Sequence, residues 1–450
     1  MPNQVPHPHS TEQHSADLRI DAAWIVPVRP RGAVLAGHSL LVKDGRIAAL
    51  LPSAEADAWI CRERMHLPGH VLIPGLVNLH THAAMTLLRG YADDLPLMDW
   101  LNHHIWPAEQ RHGSHDFVRD GTLLACLEML GGGVTCFNDM YFFAEGAVEA
   151  ATRAGMRIAA GMILVDFPTG YAADTDGYLQ KGLAMRDAHA DNPLATFCLA
   201  PHAPYTVDDR GLEKIMTYAE QLDLPVHIHL HETEDELKQS REKYGVRPLA
   251  RLKSLGMLTP GLIAVHGVHL NDMEIGWLAS HGCHVAHCPA SNLKLGSGFA
   301  PVAKLLAEGV NVGIGTDGAA SNNRLDMLGE MRLAALLAKG VSGDPAALPA
   351  ARALEMATLA GARALGLEQE IGSLEPGKQA DIVAIDMALP GSLPCYDPLS
   401  DLVYSVGREQ VSHVWVGGQA RVKNGVCVSL DSTEILRAAG RWKGAISRRE

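Results

Sequence analysis

Eight short apolar runs recur through the middle of this chain, each followed by a stretch with helical patterning. They read VLIPGLVNLH, VTCFND, RIAAGMIL, ATFCLAPH, PVHIHLHE, LIAVHGVH, CHVAHCP and VNVGIGTDG. Alternating strands and helices are the signature of βα units around a parallel sheet. Eight of them between residues 73 and 367 suit a (β/α)₈ TIM barrel, a fold of roughly 250 residues or more whose functional groups gather where the strands end. The polar residues obey that rule: His80, His82, Asn138, Asp139, His202, His229, Glu232, His266, His269, His287 and Asp317 all fall at run ends. The intervening helices read as packing. In DFVRDGTLLACLEMLGGG (residues 116–133), Leu123, Leu124, Leu127 and Leu130 recur at helical spacing before a glycine stop, and VAKLLAEGV (302–310) behaves alike. No phosphate loop, nucleotide-binding glycine fingerprint or coiled-coil repeat is present.

The flanks have a different texture. LRIDAAWIVPV and HSLLVKDGRIAALLP near the start are strand-like, with Lys43-Asp44-Gly45-Arg46 as a hairpin turn. DIVAID (381–386) and VSHVWVGGQARVKNGVCV (411–428) repeat that pattern near the end, with Asn424-Gly425 as a second turn signal. Two β segments so far apart in sequence can pair into one small domain. The first sixteen residues are polar and proline-containing, and we expect a disordered tail there, with His7, His9 and His14 in solvent and no metal site.

Composition narrows the function. Lys+Arg 38 against Asp+Glu 51 gives a formal charge of -13, so no excess positive charge is available to displace counterions from nucleic acid. A small molecule is the expected partner. The eight cysteines are scattered without a CxxC pair, which points to buried thiols and not a disulfide framework. The N-terminus has no basic and apolar leader pattern and no run of eighteen apolar residues occurs, so we expect a cytoplasmic protein without membrane contact.

His80 and His82 lie two apart on a strand and share a face, so both imidazoles can reach one ion. In PVHIHLHET the histidines 227, 229 and 231 also share a face, and spacing alone does not choose among them. Asp317 closes the last strand between glycines that permit close backbone approach. Capping the next helix is the ordinary job for such an aspartate. In the company of the two histidine patterns it completes a His/His/His/Asp shell suited to zinc or iron(II), with a position left for water.

PGLVNLHTHAAMTLLRG, HLHET, HGVHL, HCPASNLKLGSG, GTDGAASNN and IGSLEPGKQADIVAID together resemble the amidohydrolase superfamily. Within it, PHAPYT and HCPASNLKLGSG look closest to the methylthioadenosine/S-adenosylhomocysteine deaminases. The resemblance spans nearly the whole chain after the first sixteen residues. It implies a barrel over residues 73–367 and a β-sandwich built from residues 17–72 and 368–450, the latter ending in a tail. By motif it implies that His80, His82, His229 and Asp317 hold one divalent metal ion, most often zinc, with iron(II) also compatible. Glu232 is then the acid that meets the ring nitrogen and His266 the base, with Asp317 sharing in proton transfer. His202 would hydrogen-bond the purine or its sugar, and Glu109 would hold the ribose hydroxyls, with Trp106 flanking the site. His269 and His287 have weaker claims. Dinuclear relatives carry a bridging lysine at the end of strand four; ATFCLAPHAP has none, so one metal is expected.

The implied reaction is hydrolytic deamination of an adenine nucleoside, releasing ammonia and the inosine analogue. Relatives that favour S-adenosylhomocysteine supply arginines from the loop after strand three. Here that loop is VDFPTGYAADTDGYL, without arginine, so 5'-methylthioadenosine is the expected preference. Guanine or 8-oxoguanine deamination and triazine amino- or chlorohydrolysis are the competing chemistries on the same barrel, and a non-catalytic scaffold is a rival of another class. The resemblance also implies a homo-oligomer.

Overall fold

The computed structural model describes residues 14–448. Most of the expected tail, including His7 and His9, lies outside the described residues. His14 is stacked on Trp59 at 4.9 Å between ring centroids, and the first strand begins at Ser15.

The eight expected runs form an eight-stranded parallel sheet in sequence order. Its strands are Leu76–Thr81, Val134–Tyr141, Arg157–Leu164, Ala195–Pro201, Val226–Leu230, Leu262–His266, His284–His287 and Asn311–Ile314. The strand interiors are almost wholly buried, as expected of parallel strands covered by helices on one side and barrel side chains on the other. The first and last strands meet through Asp317, whose N–H donates to the His80 carbonyl at 2.9 Å. Asn78 reinforces the seam, accepting from Thr316 N at 3.0 Å and donating to Thr316 Oγ1 at 2.8 Å. Side-chain caps start the helices that return the chain: Ser114 accepts from Phe117 N, Thr233 from Glu236 N, and Asn271 forms a reciprocal capping box with Glu274.

Strands from both chain ends build a second, nine-stranded mixed sheet. The two ends join where Ile60–Pro74 pairs antiparallel with Ile382–Asp386. Ile20, Leu40, Ile47, Leu72, Ile382 and Trp415 form the core of that sheet. Both expected hairpin turns have consecutive positive φ angles, 51° and 76° at Asp44-Gly45, 52° and 75° at Asn424-Gly425, the twist-compatible geometry that asparagine, aspartate and glycine tolerate.

Two boundaries differ from the sequence reading. VLIP, read as the start of the first barrel strand, belongs to Ile60–Pro74 of the chain-end sheet. The chain crosses between sheets at Gly75, where an added Cβ would stand 2.0 Å from Thr135 Oγ1. The residues read as a C-terminal tail form the helix Ser432–Ile446. It is started by Asp431 and docked on the barrel helix His115–Gly131, with Trp442 edge-on to Phe117 and its Nε1 donating to Asp120 at 3.0 Å. All eight cysteines are free thiols.

Candidate active site

The strand ends converge on one cleft. His80 is fully buried, and His82 lies just past the end of its strand. His80 Nε2 stands 3.2 Å and His82 Nε2 3.3 Å from Asp317 Oδ1. His229 Nε2 is 3.3 Å from His80 Nε2. The donor atoms of His80, His82 and His229 all lie within 4.8 Å of one another, as do those of His80, His266 and Asp317.

Partners behind the rings decide what faces inward. His82 Nδ1 donates to the Met140 carbonyl at 2.6 Å and His229 Nδ1 to the His202 carbonyl at 2.8 Å. A carbonyl only accepts, so the proton of each neutral ring sits on Nδ1 and each Nε2 turns a lone pair toward Asp317 and its neighbours. His80 Nδ1 is held by His227 Nε2 at 3.0 Å. Converging lone pairs beside a carboxylate repel unless a cation lies among them, and rings held from behind in this way are the usual support of a metal site. The set therefore fits one divalent cation of the zinc or iron(II) kind.

The electrostatics agree. Burial pushes the His80 imidazole down to about 4 against the pull of Asp317. Burial also opposes a charge on His82, but its hydrogen bond to Asp317, the Asp317 charge and the Met140 carbonyl prevail and raise it to about 9. Asp317, raised by burial, is nonetheless held well below the ordinary carboxylate range by His80 and His82. The group calls for positive charge. Asp317 Oδ2 is occupied on its other side by Ser291 Oγ at 2.6 Å and Ser321 Oγ at 2.8 Å.

Glu232 follows the fifth strand, and its Oε2 is 3.7 Å from His266 Nε2. Burial raises its pKa, with His266 pulling the other way. The peptide that aims it is pinned by Glu236, which accepts from His231 N at 3.0 Å and Glu232 N at 2.8 Å. Glu109 sits on the short helix Trp106–His112 after the first strand and accepts from Tyr141 Oη at 2.6 Å. Burial lifts Glu109 to about 7 although the Tyr141 hydrogen bond lowers it. His202, pushed down to about 3 by burial, lines the same cleft.

The cleft has a volume of about 730 Å³ and is lined by His82, Glu109, His202, His229, Glu232, His266 and Asp317 among others. An adjoining chamber of about 1410 Å³ shares Trp106, Glu109, Tyr141, Phe142 and Phe167 with it. The histidines that sequence spacing could not rank now separate. His227 backs His80, whereas His231 has a φ of 55° and turns away, accepting from Leu249 N at 3.0 Å. His269 Nε2 donates to the Ser297 carbonyl at 2.9 Å, and His269 and His287 stand outside the cleft lining. Tyr141, Tyr205, Ser291, Ser321 and Asn292 surround the site without having been singled out from sequence. Tyr141 was within reach of that reading, since its strand runs two residues past the expected VTCFND.

A model of the amidohydrolase family matches residues 71–421, most of the chain and the whole barrel. The chain belongs to the amidohydrolase family. Among its curated relatives is a 5-methylthioadenosine/S-adenosylhomocysteine deaminase of Teredinibacter turnerae, 49% identical over 96% of this chain and 98% of the relative. Among solved structures, an adenosine deaminase from Xanthomonas campestris with bound zinc superposes with a TM-score of 0.95 at 46% identity, covering 96% of this chain and 99% of the other. A zinc complex of atrazine chlorohydrolase from Arthrobacter aurescens is more distant, at a TM-score of 0.88 and 25% identity over 95% of this chain and 100% of the other. This amidohydrolase has no described helix long and apolar enough to cross a membrane.

Proposed function

We propose that this amidohydrolase is a hydrolytic deaminase of adenine nucleosides, with 5'-methylthioadenosine as preferred substrate. The observation that carries the reading is the buried pair of Glu232 Oε2 and His266 Nε2, 3.7 Å apart and beside Asp317. Removing an exocyclic amine from a purine needs a proton on the adjacent ring nitrogen and another on the departing nitrogen. His80, His82, His229 and Asp317 would hold one divalent ion, zinc by preference, and such an ion would supply Lewis-acid activation of the attacking water at neutral pH. Glu232, its pKa raised by burial, carries the proton for the ring nitrogen. His266 Nε2 takes one proton of the attacking water and passes it to the departing amine, the proton left on the new hydroxyl returns to Glu232 as the C–N bond breaks and the carbonyl forms, and Asp317 steadies the transfer. His202 faces the purine edge. Glu109, fixed by Tyr141, accepts the ribose hydroxyls.

The preference for a methylthio tail rests on the two chambers. Neither is lined by lysine or arginine among the described residues. Lys181, in the helix after strand three, is engaged by the Tyr171 carbonyl and lies over the Tyr171 ring at 4.8 Å. An amino-acid tail would bring its carboxylate to aromatic walls and the Glu109 carboxyl, while a thioether meets apolar surface. The same reading carries a cytoplasmic homo-oligomer, which light scattering on the purified protein tests.

The deciding experiment is ammonia release from adenosine, 5'-methylthioadenosine, S-adenosylhomocysteine, guanine and an aminotriazine. We expect turnover of the adenine nucleosides with kcat/KM highest for 5'-methylthioadenosine. Turnover confined to guanine or the triazine would overturn the substrate class. A higher kcat/KM for S-adenosylhomocysteine would overturn the tail preference.

A further inference from the structure

The segment HCPASNLKLGSG stands out in the sequence, yet the reaction above gives its Ser291-Asn292 pair no task. Both side chains are buried, at 0% and 1% exposure, and neither lines the cleft. They sit side by side on the short helix Pro289–Lys294 after the seventh strand. From there Ser291 Oγ reaches Asp317 Oδ2 at 2.6 Å, and Asn292 Oδ1 reaches His266 Nδ1 at 2.9 Å. One turn of helix thus grips the residues that end strands six and eight. The turn is itself anchored: Glu330 accepts from Ala290 N at 3.0 Å, and the Asn292 backbone joins Cys288 at 3.0 Å and Ser297 at 2.8 Å.

We propose that Asn292 and Ser291 are positioning residues, setting which atom of His266 and which oxygen of Asp317 face the reaction. This rests on the deaminase reading for its rate consequences, though not for its geometry. An amide oxygen accepts, so the His266 proton is drawn to Nδ1 and Nε2 keeps the lone pair with which it can take a proton in the cleft. The other tautomer would present an N–H there and could not act as a base. His266 also holds a φ of 72°, a costly backbone state for a non-glycine residue that persists only where surroundings impose it. Ser291, with Ser321 at 2.8 Å, fills Asp317 Oδ2, while Oδ1 faces His80 and His82 and accepts from Gly318 N at 2.7 Å.

The test uses the full-length zinc enzyme with Asn292→Leu, Asn292→Asp and Ser291→Ala. Asn292→Leu should lower kcat for 5'-methylthioadenosine by roughly 10²-fold or more, with KM within about twofold because Asn292 does not reach the cleft. Asn292→Asp, whose carboxylate accepts from the same nitrogen, should restore at least about a tenth of wild-type kcat. Ser291→Ala should weaken zinc binding roughly tenfold or more in competition with a chelator. Imidazole ¹⁵N shifts of selectively labelled protein should show His266 as the Nδ1–H tautomer in the wild type and in Asn292→Asp. Wild-type kcat in Asn292→Leu, unchanged zinc affinity in Ser291→Ala, or an Nε2–H tautomer in the wild type would overturn the assignment. Should the wild type release no ammonia from any adenine nucleoside, the substrate reading fails, and the tautomer and the zinc affinity still decide this one.

Discussion

Glu232, buried, and Glu109, half-buried, are two carboxyls lining one cleft, and their surroundings differ. Glu232 faces His266 at 3.7 Å, and no lysine or arginine among the described residues lines its cleft. Replacing it with glutamine removes the acid while preserving shape, so Glu232→Gln should retain zinc and its melting temperature while kcat falls roughly 10²–10⁴-fold. Near-normal turnover in that variant would remove Glu232 from the mechanism. Burial lifts the Glu109 carboxyl to about 7, against Tyr141 and His82. In the proposed role it accepts from both ribose hydroxyls as a carboxylate above that pH; below it one oxygen carries a proton and an acceptor is lost. KM for nucleosides should therefore rise as pH falls through about 7, and a 2',3'-dideoxy substrate should show no such rise. A KM that is flat from pH 6 to 8 for both substrates would separate Glu109 from the ribose. Alternation on a strand has a fixed period, which put His80 with His82 and joined His227, His229 and His231 on shared faces, while only the family resemblance chose His229 among the three. His231 escaped that logic: its strand ends at Leu230, and a left-handed φ turns the ring out of the series. Ser291 and Ser321 were not legible, since a hydroxyl that orients a carboxylate needs no particular spacing in the chain.

Among the elements, the strand ends store strain where the chemistry converges. His231, His266 and Asp317 have φ angles of 55°, 72° and 60° at the ends of strands five, six and eight, a concentration of unfavourable backbone typical of functional sites. The crossing between sheets depends on a different constraint. At Gly75 the backbone passes so close to Thr135 that a side chain has no room. Gly75→Val should destabilise the protein by about 1–3 kcal/mol through overpacking, seen as a lower unfolding midpoint, and a midpoint equal to wild type would contradict the close approach. Eight βα repeats announced the barrel, but the sequence ran VLIP and GLVNLH together. Two strands of different sheets are continuous there, and only the tertiary contact at Gly75 separates them. The helix Ser432–Ile446 was missed because its apolar face is short and its docking partner, Phe117, lies over three hundred residues earlier.

In the whole molecule, the barrel and the chain-end sheet are joined by a charge pair as well as by apolar contact. Arg157, on the third barrel strand, donates Nε to Asp381 Oδ2 at 2.8 Å and Nη2 to Asp381 Oδ1 and Gln379 Oε1, both at 3.1 Å. Asp381 also accepts from Gly417 N at 2.8 Å. Asp381→Ala leaves a guanidinium without its charge partner in a mostly buried position, which costs about 3–5 kcal/mol. The double variant Arg157→Met, Asp381→Leu should recover much of that loss in chemical unfolding, and a double variant no more stable than Asp381→Ala would argue against a paired charge. The first and last barrel strands are joined by the Asn78–Thr316 and His80–Asp317 hydrogen bonds, which set His80 and His82 facing Asp317 across the seam. The proposed chemistry needs His80, His82, His229 and Asp317 to hold a single ion. Its most direct measurement is ammonia release from 5'-methylthioadenosine as zinc is titrated into metal-depleted protein. Activity that rises in proportion and saturates at one zinc per chain is the predicted result; saturation at two, or activity indifferent to zinc, would contradict it.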